Sequence, residues 1–120
     1  DVLPTVAEAI GATLSSDRVI DGRSWMPVFK DPAAAGHERL FWKLGKQEAM
    51  REGRWKLIHN TLLTAEGDKK SVATGEDALF LADLQTDPGE TRNLRREHPE
   101  IVARLEAAIR TWVADVSKNK

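Results

Sequence analysis

A stripe of apolar side chains near the end of this 120-residue chain restricts its fold more than any other feature. Ile101, Val102, Leu105, Ala108, Ile109, Trp112, Val113 and Val116 recur at steps of one, three and four, which aligns them on one face of a 3.6-residue helix. Such a face must be buried. Arg104, Glu106, Arg110 and Asp115 fall mostly away from it and leave a solvated outer surface. Pro99 supplies a preset φ at the first helical position, and Glu100 suits the positive end of the helix dipole. His98 is a poor cap, so the spacing predicts a helix over 99–116 without fixing its first residue.

No second helical stripe of comparable length exists, so the surface that receives this one must be a small antiparallel sheet. Residues 39–44, 47–52, 54–59 and 79–84 have strand composition, and Glu52-Gly53 reads as a tight link between the second and third. In the third strand Trp55, Leu57 and His59 share one face while Arg54, Lys56 and Ile58 share the other. Between the third and fourth strands, 64–77 reads as an exposed excursion rich in Gly, Asp, Lys, Ser and Glu. After the fourth comes a turn, Thr86-Asp87-Pro88-Gly89-Glu90. At the front, Pro4 and Gly11 bracket a short helix, and Trp25, Met26, Val28 and Phe29 form an apolar knot interrupted by Pro27. The expected fold class is α+β: a four-stranded antiparallel sheet packed against a long C-terminal helix, with a short N-terminal helix.

Length allows one modest core. The net charge of -1, with both signs interspersed, gives no basic stripe, so no nucleic-acid partner is expected. No apolar run reaches membrane-spanning length, so no membrane partner is expected either. The lack of cysteine removes disulfides, thiolate catalysis and cysteine metal sites. His37, His59 and His98 are dispersed and lack paired helical spacing, which argues against a metal centre. Asp87 and Glu90 invite a reading as an acid–base pair, but turn chemistry already accounts for Asp87. On residues alone, the chain is an α+β domain without a self-contained active site.

Several ordered motifs resemble the C-terminal end of a sulfatase of the alkaline-phosphatase-like superfamily. They are Asp1-Val2-Leu3-Pro4-Thr5 with Gly11, Asp21-Gly22-Arg23-Ser24, Arg39-Leu40-Phe41-Trp42, Arg51-Glu52-Gly53-Arg54-Trp55-Lys56-Leu57, and Leu81-Ala82-Asp83-Leu84 followed by Asp87-Pro88-Gly89-Glu90-Thr91-Arg92-Asn93-Leu94. The resemblance implies a parent enzyme that hydrolyses sulfate esters of a small molecule or glycan. It also implies a formylglycine, made from a Cys/Ser-x-Pro-x-Arg motif, and a calcium ion, both in a larger N-terminal catalytic domain. No position here matches those motifs, so no catalytic or metal-binding residue and no cofactor is assigned to this chain. The resemblance makes 1–36 a segment leading from the catalytic domain and 37–120 the C-terminal subdomain, which packs on that domain as its partner. Relatives are commonly exported. The start at Asp1, without an initiating Met, fits a piece of a longer protein.

The family's small subdomain also contributes to the rim of the substrate pocket, and the link between the first two strands is the segment suited to that. Lys43 and Lys46 would attract an anionic sugar, Gln47 would bond a hydroxyl, and His37 is a fourth candidate. Two other functions remain open: a stand-alone carbohydrate- or protein-binding module using Trp25, Trp42 and Trp55, and a dimerisation module. Exposed Val6, Ile10, Trp25, Met26 and Phe29 would favour self-association of the isolated piece.

Overall fold

A computed structural model describes residues 1–17, 19–34, 36–60, 62–64, 70–72 and 75–118. It forms two compact units, Asp1–Glu38 and Arg39–Lys120. The first holds α1 (Val2–Ala9) and α2 (Met26–Lys30). α1 stops at Gly11, whose φ of +70° is available to glycine at little cost. The short α2 departs from the expected irregular knot. Pro27 sits in its first turn, where a missing N–H costs nothing, so it starts a helix instead of interrupting one.

The second unit carries β1 (Arg39–Leu44), β2 (Gln47–Glu52), β3 (Trp55–His59), β4 (Leu62–Thr64), β5 (Lys70–Val72), β6 (Leu79–Asp83) and α3 (Pro99–Lys118). The main sheet has the order β1-β2-β3-β6, with every neighbour antiparallel. Both hairpins close in two residues. Leu44 pairs with Gln47 around Gly45 at φ +58°, and Glu52 pairs with Trp55 around Gly53 at φ +56°. Two-residue hairpins need positive φ to match strand twist, which explains both glycines. Glu52 therefore belongs to β2, and the link is Gly53-Arg54.

The excursion between β3 and β6 is more ordered than its composition implied. β4 pairs with β5, and a 3-10 turn follows at Gly75–Ala78. Three-residue strands are too short to show a period of two, so composition hid them. Residues 65–69 and 73–74 of that segment lie outside the described set.

Alternation puts Phe41, Met50, Leu57 and Leu81 on the same face of four adjacent strands, and α3 lies across it. Met50, Leu57 and Leu81 are fully buried there with Leu105 and Ile109. Phe41 stacks on Trp112, centroids 5.1 Å apart, and Trp55 meets the His98 ring at 4.8 Å. The expected union of stripe and sheet is thus what forms the core.

β6 ends the sheet, and its outer edge is occupied by the segment that follows the turn. Asn93 Nδ2 donates to the Leu79 carbonyl (2.9 Å), its Oδ1 accepts from Leu81 N–H (3.1 Å), and Leu94 N–H donates to the Leu81 carbonyl (2.8 Å). An edge satisfied in this way cannot pair with another strand. The turn is pinned from within: the Asp87 carboxylate accepts from Thr91 N–H (2.7 Å) and Arg92 N–H (2.9 Å). Those bonds hold its carboxyl below the ordinary range. Glu90, at φ +54°, sends its carboxylate to Lys56 Nζ at 2.5 Å.

Buried Asp83 closes β6 onto the β2–β3 hairpin. It takes two bonds from the Arg54 guanidinium, one from Nε at 2.7 Å, together with the Thr86 hydroxyl (2.8 Å) and Gln85 N–H (3.1 Å). Arg54 also lies 5.4 Å from the Trp55 ring centre. The guanidinium foremost holds the Asp83 carboxyl far below its ordinary 3.8, against the opposing effect of burial.

Two predictions follow from this packing. Leu57→Ala removes the centre of the core and should cost about 2–5 kcal/mol of unfolding free energy, measured by denaturant titration. Because the Asp83 carboxyl titrates lower folded than unfolded, its contribution is complete above its ordinary 3.8 and is lost as pH falls toward the folded value. Thermal melts between pH 6 and 2 should show this loss in the wild type and a flatter profile in Asp83→Asn.

Candidate functional site

The β1–β2 hairpin brings its strands' outer faces together on the side of the sheet away from α3. Trp42 pairs with Ala49, which pairs with Ile58, so these three lie in a row across that face. Leu44 and Gln47 share it at the hairpin end, and Arg51 and Lys56 face each other further along. Together they border an open groove of about 560 Å³, which Lys43, Leu84 and Glu90 also line.

Of the residues singled out in the sequence, Gln47 lies on the groove face, and Lys43 borders the groove although alternation sets it with Phe41 on the α3 side. Lys43 Nζ donates to Glu48 Oε1 at 2.7 Å, so its charge is partly committed. Lys46 is exposed in the turn, is not a lining residue, and accepts through its carbonyl from Asn60 Nδ2 at 2.6 Å. His37 belongs to the first unit. Its Nε2 lies 2.7 Å from Asp1 Oδ1, and the same carboxylate accepts from Arg23 N–H (2.8 Å) and Trp25 Nε1 (3.1 Å). The His37 ring lines a hollow of about 500 Å³ with Arg23, Ser24, Trp25 and Phe29.

Arg51 and Lys56 were missed as candidates, although strand alternation from Gln47 and Ile58 places both on the groove face. Lys56 is paired with Glu90, whereas among the described residues Arg51 meets no carboxylate and gives Nε–H to the Gly53 carbonyl at 2.9 Å. The groove therefore offers cations, an amide and an indole, the groups that recognise anionic or hydroxyl-bearing partners. None of its lining residues is His, Ser, Thr or Cys.

The tryptophans do not form a common platform. Trp42 and Trp55 lie on opposite faces of the sheet, and Trp25 packs edge-on against Phe29 at 6.3 Å in the first unit. His59 stands between β2 and α3, with Nε2 buried, 3.7 Å from Glu106 and beyond bonding distance of it. Among the described residues no three His, Asp or Glu side chains are grouped to hold a metal ion, and no helix is long and apolar enough to cross a membrane.

No family profile matches the chain. Individual proteins do. It is 35% identical to mouse steryl-sulfatase over 133 residues, covering 92% of this chain and 21% of that protein. It is 27% identical to human arylsulfatase D over 135 residues, covering 91% and 22%. The chain thus spans about a fifth to a quarter of the length of these relatives. A 42-residue stretch reaches 48% identity with human steryl-sulfatase. Among solved structures, a protein of Bacteroides thetaiotaomicron studied in the metabolism of multiple glycosaminoglycans superposes with a TM-score of 0.72 at 22% identity, covering 92% of this chain and 24% of its own. A second, solved with its substrate D-glucosamine-2-N,6-O-disulfate, gives 0.54 at 19% identity, covering 96% and 22%. At these identities the structural likeness speaks for the fold. Over nine-tenths of its length, then, the chain is a homologue of steryl-sulfatases and arylsulfatases, with the sequence and the α+β fold of a sulfatase's C-terminal subdomain.

Proposed function

We propose that this chain is the accessory subdomain of an enzyme that hydrolyses sulfate esters, and that it is inactive alone. The observation that carries the reading is homology to sulfatases along nearly the whole chain, matched to only 21% of mouse steryl-sulfatase. The chain has no cysteine and no Ser-x-Pro-x-Arg run from which a formylglycine could form. Formylglycine and calcium are assigned to an N-terminal catalytic domain. The described acidic groups do not fit a calcium site here: Asp83 is spent on Arg54 and Asp87 on backbone N–H groups. No chemical step is routed through this chain.

The subdomain's role in the proposal is to pack on the catalytic domain and to extend the rim of the substrate pocket. Lys43 and Gln47 at the hairpin end of the groove, exposed Lys46 in the turn, and His37 are the groups offered to a sulfated small molecule or glycan. Lys46 is the most available of them, since its ammonium is exposed.

The 120-residue chain incubated with a chromogenic aryl sulfate should release no phenol above background; turnover by it would end the accessory reading. In the full sulfatase polypeptide, Lys46→Ala should raise KM about tenfold with kcat retained, the effect of losing ~1.4 kcal/mol of uniform binding. Unchanged kinetics would remove Lys46 from the rim.

A further inference from the structure

The hollow in the first unit has walls set by a single carboxylate. Asp1 Oδ1 accepts from Arg23 N–H (2.8 Å) and lies 2.7 Å from His37 Nε2, while Oδ2 accepts from the Trp25 indole N–H (3.1 Å). Thr5 ties Asp1 to Trp25 a second time: its hydroxyl donates to the Asp1 carbonyl (2.7 Å) and accepts from Trp25 N–H (2.9 Å). Gly22 lacks the Cβ that would collide with the Asp1 backbone nitrogen, so the chain before Arg23 can close on Asp1. Asp1 itself does not line the hollow, whereas Arg23, Trp25 and His37 all do. These lining groups are fixed without a ligand, and groups held in advance lose little freedom on binding.

Their chemistry narrows what they can hold. An ionised carboxylate only accepts, so His37 donates to Asp1 through Nε2, and its neutral ring presents Nδ1 as an acceptor. Among the described residues nothing bonds Nδ1, and the side chain is 20% exposed. The Arg23 guanidinium meets no carboxylate among the described residues, and no acidic side chain lines the hollow. Trp25, 45% exposed and pinned by its indole N–H, gives a flat apolar wall with Phe29 edge-on to it. A cation for an anionic group, an acceptor for a hydroxyl and an aromatic face for a ring together suit an anionic sugar. The volume of about 500 Å³ lies in the range of small-molecule sites. We infer that this hollow binds an anionic sugar residue, with Arg23 on its sulfate or carboxylate, His37 Nδ1 on a hydroxyl, and the ring against Trp25. The inference rests on the reading of His37 as a group offered to a sulfated ligand, and deepens it by giving the imidazole a bonding role and two companions.

The isotope-labelled 120-residue chain is titrated with glucose 6-sulfate and with glucuronate, with glucose and inorganic sulfate as controls, and followed by nuclear magnetic resonance. The Trp25 indole N–H signal, assigned by its loss in Trp25→Phe, reports occupancy. At least one anionic sugar should move it with a Kd on the order of 1 mM, about tenfold tighter than glucose or sulfate. The tighter of the two identifies sulfate or carboxylate as the group Arg23 meets. Arg23→Gln, at an exposed position, should reduce that sugar to the affinity of glucose. His37→Gln should weaken both sugars and leave inorganic sulfate unchanged. In the ligand-free chain the neutral His37 ring should carry its proton on Nε2. A proton on Nδ1, full affinity in Arg23→Gln, or no shift with either anionic sugar overturns the inference. Inorganic sulfate binding as tightly as the sugars does so too, since that describes an anion site without a ring. Turnover of an aryl sulfate by the full sulfatase polypeptide judges the sulfatase reading separately. Turnover without sugar binding removes the hollow alone, and sugar binding without turnover removes the hydrolytic reading alone.

Discussion

The closure of α3 over Met50, Leu57 and Leu81 is the contact on which the second unit depends. Leu105 and Ile109 are its counterparts on the helix, and all five side chains are fully removed from water. A four-stranded sheet of five- and six-residue strands has little stability without a covering layer, and a helix with one apolar stripe has none without a surface to receive it. Each element therefore supplies what the other lacks. Phe41 on Trp112 and Trp55 on His98 continue the seam toward its two ends.

The polar residues of the Asp-Pro-Gly-Glu-Thr-Arg-Asn-Leu run serve that closure. Asp87 caps the turn, Glu90 reaches back to Lys56 on β3, and Asn93 completes the outer edge of β6. Together with the Arg54–Asp83 lock, they carry the chain from β6 to Pro99 in the direction α3 requires. A segment with the look of an acid–base site is thus occupied by structural bonds, and its charged groups are committed before any substrate arrives.

The same economy separates the two faces of the sheet. The α3 side is a finished core, whereas the groove side keeps Trp42, Leu44 and Arg51 at its surface.

What the sequence by itself determined were the features that depend on local periodicity. The 3.6-residue stripe set α3, the composition of residues 39–44, 47–52, 54–59 and 79–84 set the four strands of the main sheet, and Gly53 marked the hairpin between the second and third, because each signal acts over a few residues. The ordered motifs also pointed to the sulfatases, a likeness the homologues share along the chain. Features that depend on partners distant in sequence emerged only in three dimensions. Pro27 beginning α2, the short β4–β5 pair, and the hold of Asp1 on His37 gave no periodic signal. Only the register of β1, β2 and β3 placed Trp42 and Gln47 on one face with Arg51 and Lys56, turned Lys43 to the other, and left Lys46 outside the groove. Strand pairing decides which side chains share a face, and no single strand contains that information.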